Sequence, residues 1–344
     1  MAKPRPTFQQ AVMERAKPGR SAQSDVWLDY ILTTNERGAF VVAKVQEFVA
    51  SLRGRRLLDV GSGYGGVCVA AARAGAEAVG IELDDDLRRL AALNLADSPG
   101  LTASFHDADV LDWTRLSTLG RFDVVTCDNV IEHVASPPVL LAHARRLLEP
   151  DGLLYLTAPN AFSFGQISKE CHYGQFGLSL LDPVDGDQWV REALHMPSYG
   201  VSVYFRLSEY ENLLTRYGLH AKLLNPLAAA DEVVERVRVA RRGIADARAA
   251  ATIPPSLRAK VDRLLEIQLA CCDADVAFID ATPSGLAREI FGHELQRTYL
   301  DELWYFVASP DPRRLHGRMR RAILGEMRRR VRAIAAGATR LIGG

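Results

Sequence analysis

The chain has 344 residues, 48% of them hydrophobic and 24% charged, with 42 basic against 42 acidic side chains. That composition excludes a wholly disordered or low-complexity chain and leaves room for a sizeable core in one large domain or two. A formal net charge of zero excludes a chain-wide field toward nucleic acid or membrane, so any such attraction must be local.

The opening twenty residues, MAKPRPTFQQAVMERAKPGR, carry charge without an apolar centre, so no signal peptide is expected. No later apolar run reaches the roughly 18–20 residues that span a bilayer. Residues 1–54 read as a helical region. Trp27, Tyr30, Ile31, Phe40, Val41, Val45, Phe48 and Val49 recur at helical spacing, with an interruption near Asn35 to Gly38 that suggests two helices.

From residue 55 onward, short β-branched runs alternate with helical stretches, the pattern of a doubly wound parallel sheet. RRLLDV (55–60), AEAVGIEL (76–83), TASFHDA (102–108), RFDVVTCD (121–128) and LLYLTAP (153–159) read as strands. VCVAAARAG (67–75), DDDLRRLAALNLA (84–96) and PPVLLAHARRLLEPDG (137–152) read as helices, the last opened by proline and closed by Asp-Gly. LSEYENLLTRYGL (207–219) reads as a helix capped by Ser208, and HAKLLNP (220–226) and ELWYFVASP (302–310) as two more strands. A core over 55–226, completed by 302–310, would thus be interrupted at 227–301 by a helical insertion rich in Ala, Arg, Leu and Glu. Within it Cys271 and Cys272 are followed by Asp273 and Asp275, but helix neighbours diverge by about 100°. They read as packing residues; no metal is expected. The odd set of five cysteines reads as reduced thiols of a cytoplasmic protein.

LDVGSGYGGV (58–67) sets Gly61, Gly63, Gly65 and Gly66 between a strand and a helix, where glycine lets backbone and helix amides approach a ligand closely. Gly61, Gly63 and Gly66 also satisfy the dinucleotide G-x-G-x-x-G spacing. A nicotinamide-dependent oxidoreductase is therefore the alternative enzyme class. Asp59 favours a different ligand: an anion repels a diphosphate but attracts an ammonium or sulfonium.

These residues resemble the class I S-adenosylmethionine-dependent methyltransferases. DVGSGYG (59–65) matches their acidic-x-Gly-x-Gly-x-Gly loop, and the similarity continues through FDVVTCDNVIEHVASPPVLLAHARRLLEPDGLLYLTAPN (122–160) to the ubiquinone-biosynthesis-like, or type 11, group. The resemblance implies a Rossmann-like seven-stranded sheet whose last strand is antiparallel, with S-adenosylmethionine as cofactor. It implies Glu82 on the ribose hydroxyls, Asp109 at the adenine amino group, with Asp107 nearby, and Asn129 in the same cofactor set.

A sulfonium already activates its methyl carbon, so the protein chiefly aligns donor and nucleophile. For an oxygen nucleophile a general base helps. His133, after the fourth strand, is the first candidate; as a structural residue it would cap the next helix beside Glu132. Residues 161–205 are too long for a plain connection and read as a substrate-covering segment in which His172 and His195 are further base candidates. The expected activity is methyl transfer, at oxygen, to a small-molecule, glycan or lipid-linked acceptor. A non-catalytic scaffold on the same fold is the non-enzymatic alternative. Residues 311–344 place ten arginines against two acids, with Leu315, Met319, Ala322, Ile323, Met327, Val331 and Ile334 at three- and four-residue steps. Such a basic amphipathic tail suits docking on the body, a second subunit of a homo-oligomer, or peripheral contact with an anionic membrane, ahead of nucleic acid.

Overall fold

In a computed structural model, the structure describes residues 5–15 and 28–316. Seven strands, β1 Arg56–Val60, β2 Glu77–Glu82, β3 Ala103–Asp107, β4 Phe122–Cys127, β5 Leu148–Pro159, β6 His220–Leu223 and β7 Leu303–Ser309, form one sheet in the order β3-β2-β1-β4-β5-β7-β6. β7 runs antiparallel to β5 and β6, and the other pairings are parallel. Chain order reverses beside β1, where β2 lies on one side and β4 on the other, so the carboxyl ends of these strands open a crevice.

Strand alternation sends successive side chains to opposite faces, and in β1 both faces are buried: Leu57 and Leu58 are each 0% exposed. Leu58 joins Val125, Leu154, Leu140 and Leu214 on one side, and Leu57 joins Val124, Tyr155, Val41 and Val45 on the other. The second layer holds helix Thr34–Gln46 against helix Gly66–Arg73. A β carbon on Gly38 would stand 2.2 Å from the Gly66 carbonyl carbon, and one on Gly66 2.1 Å from the Thr34 oxygen. The expected interruption exists but falls at Thr33, between helical residues 28–32 and helix Thr34–Gln46; that helix then runs unbroken through Asn35–Gly38, because Gly38 serves a close helix crossing rather than a turn. Trp27 lies outside the described residues.

Two other boundaries differ from the pattern. Helix Pro137–Leu147 stops before the Asp-Gly pair, because buried Leu148 already pairs with Phe122 of β4 and begins a 12-residue β5. Helix Leu207–Arg216 starts one residue before Ser208. Its cap is Arg206, whose N–H donates to the Glu209 carboxylate at 2.6 Å.

Between β6 and β7 stand helices Ala230–Ala250, Pro255–Ala281 and Leu286–Tyr299. Pro255 opens the second, where a missing N–H costs nothing. These helices share a core with residues 161–205: Trp189, Tyr199 and Phe164 pack with Val233, Val237 and Val261. The buried Asn160 side chain at the end of β5 donates to the carbonyls of Thr298 at 3.0 Å and Asp301 at 2.8 Å, tying the sheet to the end of the insertion. Beyond β7, Leu315 packs on the sheet's second layer and Arg314 pairs with Asp151. The remainder of the basic tail, 317–344, lies outside the described residues. Among the described residues no helix is long and apolar enough to cross a membrane.

Gly38→Ala should therefore lower stability by about 1–3 kcal/mol through overpacking, as read by chemical denaturation. Gly243→Ala, on an insertion helix with nothing near the added carbon, should leave stability equal or higher. If Gly38→Ala is as stable as the parent, the close crossing is wrong.

Candidate functional site

The loop after β1 turns at Gly61, Gly63 and Gly65, all with positive φ. Val130 and Phe105 leave no space for a side chain at the outer two: added β carbons would meet them at 2.6 Å and 2.9 Å. Gly63 faces open space instead, its nearest neighbour being the Gly61 oxygen at 3.9 Å. Beneath the loop Asp59 is 3% exposed and accepts a hydrogen bond from the Thr126 hydroxyl at 2.8 Å. Burial pushes its carboxyl up to about 7; Asp128 and Glu82 add to the effect, and the Thr126 and Cys68 contacts oppose it.

The next strand ends converge on the same space. Glu82 accepts from the Gly63 N–H at 3.0 Å through one oxygen and from the Leu83 and Asp84 N–H groups at 2.8 and 3.1 Å through the other. Its carboxylate thus ties the end of β2 to the glycine loop. Asp109 accepts from the Leu111 N–H at 2.8 Å and lines the cavity, whereas Asp107 is engaged by Arg115 and Arg88 outside it. Asn129 stands at φ +54°; its N–H donates to the Thr157 hydroxyl at 2.8 Å, which donates in turn to Asp128 at 2.9 Å. Together these groups wall a cavity of about 480 Å³.

Helix Thr34–Gln46 supplies the facing wall with Arg37, whose guanidinium carbon lies 3.2 Å from the centre of the Tyr30 ring. Among the described residues Arg37 is the only arginine or lysine lining this cavity, opposite Asp59, Glu82, Asp109 and Asp128. The sequence reading passed over it, because a single arginine beside the supposed break in a helix carries no motif.

Past β4, His133 lines the cavity and its Nδ1 lies 2.6 Å from the Gly200 carbonyl. A carbonyl only accepts, so Nδ1 carries the proton and Nε2 keeps its lone pair. Burial lowers the pKa of His133, and the ring meets His172 edge-on at 4.8 Å. His172 Nδ1 lies 2.6 Å from Glu170, a buried carboxylate that also accepts from the His172 and Tyr173 N–H groups and the Tyr204 hydroxyl. Burial alone would lower His172, but contacts with Cys171 and Glu170 carry it up to about 10. Between the two rings sits Glu132, 0% exposed, with Oε1 3.8 Å from each Nε2 and neither oxygen hydrogen-bonded. Burial pushes it up to about 7.

The fold therefore brings His133 and His172 together and leaves His195 out. His195 is exposed and ends helix Pro183–Leu194 in a left-handed conformation at φ +55°, so it terminates a helix rather than facing the cavity. The expectation of no metal site also meets an unforeseen arrangement, since Glu132, His133 and His172 offer one ligand atom each within 4.8 Å of one another.

A family model described as a methyltransferase domain matches residues 34–222. The ubiquinone biosynthesis O-methyltransferase of Methylococcus capsulatus is 39% identical over 110 residues, 32% of this chain and 46% of that protein. The one from Xanthomonas oryzae pv. oryzae is 32% identical over 156 residues, 41% of this chain and 63% of that protein. The chain spans about half the length of the curated relatives it matches. A solved structure, magnesium protoporphyrin IX methyltransferase from Synechocystis with bound SAH, is similar at 18% identity and a TM-score of 0.40, covering 63% of this chain and 88% of that one. The family match opens at the helix carrying Arg37 and closes in β6, taking in the glycine loop, all four cavity carboxylates and both clustered histidines. This chain, matched over more than half its length, belongs to the methyltransferase domain family.

Proposed function

We propose that the protein transfers a methyl group from S-adenosylmethionine to an oxygen of a small-molecule, glycan or lipid-linked acceptor. The observation that carries this reading is the charge layout of one cavity: four carboxylates at strand ends facing the one guanidinium that lines it among the described residues. A ligand that joins an ammonium and a sulfonium to a carboxylate, with a ribose and an adenine beyond, fits that layout. A diphosphate beside Asp59 and Glu82 does not. Ser62 Oγ, buried on the cavity wall without a hydrogen-bond partner, and the open space over Gly63 further support a ligand lying against the loop.

In this reading Arg37 holds the carboxylate, Glu82 accepts from the ribose hydroxyls and Asp109 from the adenine amino group, with Asn129 completing that wall. Asp59 sits beneath as counter-charge to the cationic end. When bound, S-adenosylmethionine supplies a methyl carbon already activated by its sulfonium, so little is asked of the chain beyond alignment and water exclusion. The cluster of Glu132, His133 and His172 lies at the cavity rim, where an acceptor hydroxyl must lose its proton. Relatives named as O-methyltransferases agree with an oxygen acceptor.

Calorimetry with S-adenosylhomocysteine tests the site. Gly63→Val should nearly abolish binding by filling the open space, and Arg37→Met should weaken it. Glu82→Ala should cost about 1–3 kcal/mol of affinity. Binding of a nicotinamide dinucleotide in place of S-adenosylhomocysteine would refute the reading. A labelled-methyl transfer assay on cell extracts then reports the acceptor.

Asp59 also imposes a pH dependence. Its folded pKa is raised, so the stability it contributes is full below its ordinary range and is lost as pH rises through about 7. A cationic ligand prefers the ionised form. Affinity for S-adenosylmethionine should therefore increase as pH rises through about 7, with proton release on binding, and Asp59→Asn should flatten that slope. An equal slope in the variant assigns the proton elsewhere.

A further inference from the structure

We infer that the outward face of helix Pro255–Ala281 docks on the same face of a second copy of this chain, so that the protein assembles as a two-fold dimer through its insertion. The helix is apolar on two faces. Leu257, Val261, Leu265, Cys272 and Ile279 are buried in the core shared with residues 161–205. On the second face Ile267, Cys271, Ala274 and Phe278 follow one another at steps of four, three and four residues, which keeps them on one side of a helix. All four are exposed, Ile267 at 54% and Phe278 at 56%.

Phe278 meets Phe291 edge-on at 4.8 Å, so the face continues onto helix Leu286–Tyr299, where Leu286 and Ile290 are exposed as well. A helix with apolar residues on both sides belongs in a buried setting, and a contiguous apolar patch rimmed by polar groups marks an interaction surface.

Two features select a second copy as the occupant. The first is the order of the side chains. Steps of four, three and four read the same in either direction, with bulky Ile267 and Phe278 at the ends and small Cys271 and Ala274 between them. Laid antiparallel about a two-fold axis, Ile267 of each copy meets Phe278 of the other, and the small residues cross at the centre, where the helices can approach closely.

The second feature is charge. Residues 255–268 carry three cations against two acids, whereas 269–281 carry three acids and no cation. An antiparallel pair sets the cationic half of each helix beside the acidic half of the other. Arg263, exposed beside the stripe, then lies within a turn of Asp280 of the second copy.

Other occupants fit less well. Asp273, Asp275 and Asp280 on the same half of the helix as Phe278 repel an anionic membrane or a nucleic acid. Arg314, at the start of the basic tail, pairs with Asp151 at the end of β5 away from Asn160 and the insertion, so the tail begins at the opposite end of the sheet.

Sedimentation equilibrium of the full chain over a concentration series tests the contact. The expected result is a reversible monomer–dimer equilibrium that reaches twice the chain mass. Phe278→Lys and Ile267→Lys should each weaken the dimer about 30-fold or more, the cost of losing a central anchor. Val139→Lys, at an exposed position of helix Pro137–Leu147, should leave it unchanged. A short bis-maleimide should join two copies through Cys271, since Cys171 and Cys271 are the two exposed cysteines. The joined product should persist in Cys171→Ser and vanish in Cys271→Ser. Thermal melts confirm that each variant is folded. A parent chain that stays monomeric throughout the series overturns the proposal, as does a dimer that survives both lysine substitutions. Loss of the dimer on removal of 317–344 also overturns it, by making the tail the contact. So does sedimentation with anionic vesicles that Phe278→Lys abolishes in a monomeric protein, which would make the face a membrane surface.

Discussion

Two helices that meet backbone to backbone hold the cavity in shape. Gly38 lies against the first turn of the helix that follows the glycine loop, and Gly66 lies against the Thr34 carbonyl. A β carbon at either position would separate the helices. Because they touch, the helix carrying Arg37 stands directly across from the loop, and the one cavity-lining guanidinium among the described residues faces the carboxylates at the strand ends. The loop, the cavity wall and the charge layout all follow from that crossing.

Around the cavity the polar groups are held from behind, which preserves their outward faces for a ligand. Glu82 joins Gly63 to the turn after β2, and Thr157 joins Asn129 and Asp128 to β5. Asp59 is sunk deepest, and its burial is offset in part by the Thr126 hydroxyl. Such buried acids lower the stability of the empty protein in proportion to the attraction they offer a cation. That opposition marks a binding site more than a structural one.

A second hydrophobic core flanks the sheet. Residues 161–205 and the three insertion helices share one core, anchored to the sheet through Asn160, and the family match ends at 222, before the insertion begins. Residues 161–205 lie inside the family match, and the three insertion helices lie outside it. Glu170, His172 and Tyr204, from residues 161–205, meet Glu132 and His133, which follow β4, so the cluster is built from two stretches of the family-matched region.

Alternation of apolar residues and a glycine loop after a strand are local patterns, and they were enough to read the strands, the crossover helices, the helical stretch between β6 and β7, and Asp59 under the loop, whereas Glu82 and Asp109 were singled out only by the resemblance to a known family. The same locality explains the misreadings. Gly38 looked like a break because its partner Gly66 is 28 positions away. The Asp-Gly pair looked like a helix end because the Phe122–Leu148 pairing does not appear in a single run of sequence, whereas Ser208 was a local misreading, since the Arg206–Glu209 capping contact spans only three residues. His195 had the right chemistry and the wrong place. Arg37 across from the carboxylates, and Glu132 between two histidines 39 positions apart, were decided only by tertiary packing. Charge balance in a cavity depends on which distant groups the sheet and its helices bring within a few ångströms, and no periodicity along the chain records that distance.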